Sequence, residues 1–112
     1  MPKLPNADAA VADIEKLRDY SLNPEHDEGK HKARVFQSAL GFTKTDAARL
    51  HEMVLEAAHT EEAVLGKRIA HGQMYVIDFI ALGVRGPVPI RTAWIVETDT
   101  DFARLVTCYV KG

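Results

Sequence analysis

A single cysteine, Cys108, leaves the chain without an internal disulfide and without the cluster of thiols that a structural metal would need. A reducing compartment suits such a composition. Long hydrophobic runs are also missing. The opening Met1-Pro2-Lys3-Leu4-Pro5-Asn6 lacks the apolar stretch of a signal peptide, and the most apolar later segment is cut by Asp78, Gly83 and Gly86. The expectation is a cytoplasmic protein with no membrane contact. Nor does charge of one sign dominate: 14 Lys and Arg against 16 Asp and Glu give a net charge of −2. That excludes a general polycation, so any contact with RNA must come from a local basic patch.

Nucleotide and metal motifs are likewise absent. No glycine-rich phosphate loop occurs, so ATP and NAD dependence are not expected. His51, His59 and His71 are scattered, with no His-Glu-x-x-His helix and no Cys/His pair at zinc spacing, so neither a cofactor nor a bound metal is expected.

What remains is an ordinary globular balance, 46% hydrophobic and 27% charged over 112 residues, which is enough for one domain spanning 1–112 with its own core. Ile14, Leu17 and Tyr20 recur at helical spacing until Asn23-Pro24 stops them, predicting a first helix over 13–21. Ala33, Phe36 and Leu40 form one stripe of a second helix over 30–40, closed by Gly41. Thr43 to Asp46 has capping-box spacing, and Ala47, Leu50, Met53, Val54 and Ala57 carry a third helix to about residue 58. Beyond Glu62 the period changes to that of strands, predicted over 62–69, 73–82, 88–97 and 103–110. Their short connections cannot hold parallel crossovers, so the sheet is expected to be antiparallel. The fold class read from the chain is α+β, three N-terminal helices followed by a four-stranded antiparallel sheet.

Chemistry concentrates in Gly29-Lys30-His31-Lys32-Ala33-Arg34, because cations at a helix start oppose the macrodipole. At about 100° per residue, Lys30, His31, Arg34 and Ser38 lie opposite Phe36, beside helix-start amides, which makes Lys30 and Arg34 candidates for binding a phosphate. His31 is the first candidate for proton transfer and His26 the second, since imidazole titrates near neutrality. On the sheet, Arg91, Ala93 and Ile95 alternate to one side of their strand, and Leu105, Thr107 and Tyr109 to one side of theirs. Should the two sets share a face, Arg91, Thr107 and Tyr109 present a cation, a hydroxyl and a phenol to a phosphodiester and its base. A solvated charged face and polar tips on an edge of the core are the plainer readings of both groups. Asp78 in an apolar strand reads as a satisfied structural acid, and Cys108 as a buried, inert thiol.

Leu4-Pro5-Asn6-Ala7, Lys16 to Tyr20, Leu22-Asn23-Pro24-Glu25-His26, Gly29 to Phe36 and Arg104 to Tyr109 together resemble a family of short uncharacterised bacterial proteins classed as a domain of unknown function. The likeness spans nearly the whole chain and implies a compact single domain. More coarsely, helices followed by a four-stranded antiparallel sheet resemble the barnase, EndoU and RelE group of small ribonucleases, many of them toxins. That resemblance implies metal-independent RNA cleavage with His31, Arg91, Thr107 and Tyr109 as the matching positions, although the chain lacks a clear second histidine on the sheet. The competing expectation is a non-catalytic interaction or immunity-type module that binds a cognate partner protein. A monomer and a homodimer paired through the last strand are both compatible with the sequence.

Overall fold

The computed structural model describes residues 3–111. A 3-10 turn, Ala7–Ala9, precedes α1 (Ile14–Lys16), which runs straight into a π turn over Leu17–Ser21. The sequence predicts one regular helix here. The wider π turn instead buries Leu17 and Ser21 before Asn23 turns the chain: its amide donates to the Asp19 carbonyl and its Oδ1 accepts the Glu25 N–H.

α2 (Lys30–Leu40) follows, burying Ala33 and Phe36 and ending at Gly41, whose φ of 73° is the left-handed geometry that closes helices. α3 (Ala47–Thr60) is entered through a 3-10 turn, Lys44–Asp46, where the Thr43 N–H donates to the Asp46 carboxylate at 2.8 Å.

The strands β1 (Ala63–Ile69), β2 (Gly72–Gly83), β3 (Gly86–Glu97) and β4 (Ala103–Val110) form one antiparallel meander in the order β1-β2-β3-β4. The α+β class therefore stands, with the helical elements preceding the sheet. One pairing has no sequence signal. Val11 bridges Arg104 in parallel, its N–H donating to the Ala103 carbonyl and its carbonyl accepting from Leu105, so the start of the β4 edge is covered.

The helices cover one face of the sheet. Ile77, Phe79 and Ala81 of β2 and Ile90, Thr92 and Trp94 of β3 are buried against Leu17, Leu22, Phe36, Leu50 and Val54. Trp94 has no solvent exposure, and its indole N–H donates to Thr92 Oγ1 at 2.8 Å, while that hydroxyl donates to the Ile77 carbonyl. Each polar atom buried by this arrangement is thus paired. Among the described residues no helix covers the other sheet face. Among the described residues no helix is long and apolar enough to cross a membrane.

Candidate functional site

The polar site begins at the loop between α1 and α2. Gly29 lies against the Tyr20 carbonyl so closely that a Cβ would clash with it, which forces glycine at the helix entrance. The same fold-back brings His26 into the loop's interior. Its Nδ1 accepts the N–H groups of Glu28 and Gly29, each at 3.0 Å, which leaves Nε2 as the ring's donor. The amides of Glu28 and Gly29, just before α2, are therefore taken by an imidazole, and that of Lys30 by the His26 carbonyl. The His26 ring meets Tyr20 edge-on, 4.9 Å between centroids.

Tyr20 in turn supports Lys32. The Lys32 ammonium donates to Tyr20 Oη at 2.9 Å and to Thr107 Oγ1 at 3.2 Å, and lies 4.8 Å from the Tyr20 ring centroid and 5.5 Å from that of Tyr109. Cation–π attraction to two electron-rich faces holds the charge there. Among the described residues no carboxylate pairs with it. An adjoining cavity of about 340 Å³ has Lys16, Tyr20, Ser21, Glu28, Thr107 and Cys108 among its lining residues.

A bulge in β4 makes this meeting possible. Ala93 pairs with Thr107 but Trp94 pairs with Leu105, leaving Val106 as the extra residue. Thr107 and Tyr109 consequently share a face with Ala93 and Arg91, while Leu105 turns inward and is buried. Strict alternation groups Leu105 with Thr107 and Tyr109; the bulge corrects this, because one inserted residue reverses the side chains beyond it.

The sequence candidates fall into three places. Thr107 and Tyr109 join Lys32 at the β4 edge. Arg91, the cross-strand partner of Tyr109, lies further in on the same open sheet face, where Asp78 takes both its Nε and an Nη at 2.9 and 3.0 Å and also accepts from Lys111 at 3.2 Å. The Arg91 guanidinium beside Asp78 holds that carboxyl below the usual carboxylate range, with Lys111 adding to the effect, so the expected structural acid has two cationic partners. Lys30 is half-buried, and His31 and Arg34 are exposed on α2; the side-chain hydrogen bond from this helix to β4 is made by Lys32, about 100° around the helix from His31.

Lys32 and Tyr20 are the residues that sequence reasoning passed over. The available signal was Lys32 lying one turn before Phe36, on the flank of the buried stripe. Cys108, fully buried, has its thiol pushed up to about 12 by burial against the opposing influence of Lys32, which makes it a poor nucleophile. Among the described residues no three His, Cys, Asp or Glu side chains cluster as a metal site would require.

Compared with known proteins, residues 3–112 match the family model described as Domain of unknown function (DUF6883). No curated protein and no solved structure matches the chain.

Proposed function

Because the chain belongs to this family of unknown function, its activity has to be argued from the site, and we propose that it is an RNA-cleaving domain that works on single strands without a metal. The observation that carries this reading is the Lys32 ammonium, half-buried between two tyrosines and a threonine with no carboxylate partner among the described residues. A cation whose neighbours are neutral hydroxyls and aromatic faces is matched to a phosphodiester, with the rings available to a base.

RNA carries its own nucleophile, the 2′-hydroxyl. Cleavage therefore needs a base for that proton, an acid for the departing 5′-oxygen and a cation for the charge that builds on phosphorus. In this reading Glu28, on the wall of the cavity, accepts the 2′-hydroxyl proton, and O2′ displaces O5′ at phosphorus. Lys32 stabilises the developing charge, and Tyr20 Oη, already accepting from Lys32, gives its own proton to O5′. The products are a 2′,3′-cyclic phosphate and a 5′-hydroxyl. His26 acts as a positioning residue, since its Nδ1 is occupied by backbone amides and its Nε2–H can serve only as a donor.

The test is incubation of the purified chain with single-stranded RNA in EDTA. Fragments ending in 2′,3′-cyclic phosphate, lost in Lys32→Met, are the expected result. Intact RNA together with no binding at low salt overturns the proposal and leaves the interaction module, for which the uncovered sheet face is the supporting observation.

A further inference from the structure

We infer that the open face of the sheet is the contact surface for a second copy of this chain, packed face to face about a two-fold axis parallel to the strands. The inference does not rest on the RNA reading, but it covers Tyr109, one of the two rings about Lys32, so a dimer leaves Tyr20 as the ring open to a base.

Three observations carry it. The first is the apolar character of a face that no helix covers. Val64, Ile80 and Leu82 are 59%, 66% and 87% exposed, and they flank Val76, Ala93 and Ile95 on the same side of β1, β2 and β3. Apolar patches of this extent on a sheet are unusual unless something covers them.

The second is size. β2 and β3 are 12 residues long each, and four strands at about 4.8 Å spacing and about 3.3 Å per residue present on the order of 600 Å². Two such faces bury about 1,200 Å² together, the area at which specific interfaces begin. Aligned sheets pack in this way in sandwiches.

The third is charge. The register places Asp78, Arg91 and Tyr109 in one row across the sheet, and Glu62, one residue before β1, lines the same hollow of about 420 Å³ as Asp78 and Arg91. Arg91 and Lys111 share the one carboxylate of Asp78, leaving positive charge in surplus toward β4. Glu61 and Glu62 form no ion pair among the described residues, leaving negative charge at the start of β1, with Lys67 and Arg68 at its far end. A two-fold axis along the strands sets β1 of one copy over β4 of the other at the same level, so Glu62 faces Lys111 of the second copy, and the reverse. The face complements itself, as an isologous interface must.

The β1 edge is a weaker route to the same stoichiometry. Its pairing with β2 shifts between Leu65 and Arg68, and Lys67 and Arg68 stand exposed on it, devices that discourage strand addition.

Sedimentation of the full chain at about 100 µM should return the dimer mass, and Ile80→Asp should return the monomer with its circular dichroism unchanged. Glu62→Lys and Lys111→Glu should each weaken the dimer at least tenfold, and the double variant should recover most of that loss. A monomeric wild type overturns the inference. A dimer that survives Ile80→Asp, or a double variant no tighter than the singles, shows that the copies do not meet through this face.

Discussion

The ammonium of Lys32 and the hydroxyl of Thr107, 75 positions apart in the chain, meet at 3.2 Å where α2 passes the edge of β4. Replacing Lys32 separates its two roles. Lys32→Met keeps the stem that packs between Tyr20 and Tyr109 but removes the charge. Stability measured by denaturant titration should stay within about 0.5 kcal/mol, since the lost ammonium has no carboxylate to orphan. RNA affinity should fall, and the slope of log K against log salt should decrease by about one, as for the loss of one phosphate contact.

The three polar residues near the loop should respond differently. Glu28→Gln should lower the cleavage rate by about 100-fold or more if that carboxylate is the base. His31→Ala, at an exposed position, should leave stability within about 0.5 kcal/mol, and its rate tests whether the helix-start histidine takes the proton instead. His26→Ala removes the acceptor of two backbone N–H groups at the entrance to α2 and should cost about 1 kcal/mol of stability, as losing a helix cap does.

Acid should act through Asp78. Its pKa is lowered, chiefly by its hydrogen bonds with Arg91, so its contribution to stability is fully present above the ordinary carboxylate value of about 3.9 and is lost as pH falls through the depressed native value. Asp78→Asn should flatten the fall in thermal midpoint below about pH 4. The group is about a third exposed, so a small effect is expected, and an unchanged acid profile would show that the pair contributes nothing measurable.

His59 has the opposite sign. Its ring is raised above the ordinary value, first by its hydrogen bond with the Leu55 carbonyl and then by that with Asp8, so its stabilising contribution is complete below about pH 6.5 and fades as pH rises through the native value. Proton NMR titration should place His59 above that reference, and Asp8→Ala should lower it while leaving the part due to Leu55.

Thr92→Val probes the core. Thr92 Oγ1 serves both the Ile77 carbonyl and the Trp94 indole with no solvent exposure, so its loss leaves the buried indole N–H unpaired and removes one bond to the Ile77 carbonyl. Unfolding free energy should drop by about 2–3 kcal/mol, and a drop under 0.5 would show that water takes the hydroxyl's place.

Apart from the first helix, which gives way to a π turn over Leu17–Ser21, the elements were legible in the chain, because they answer to near neighbours. The Ala33, Phe36, Leu40 stripe and the Thr43 to Asp46 cap mark α2 and α3, and β-branched residues between turn glycines mark all four strands to within two residues at either end. Polar partnerships were not legible in that way. Whether Thr107 shares a face with Arg91 depends on register, and the bulge at Val106 decides it while leaving no mark in the residue pattern. Asp78 looks solitary in sequence and gains Arg91 only because β2 and β3 pair at that level; Lys32 gains Thr107 only because α2 docks beside β4. Local periodicity reports on the few residues that share a turn or a pleat. Contacts across 75 positions depend on how whole elements dock, and that is settled only when the core closes.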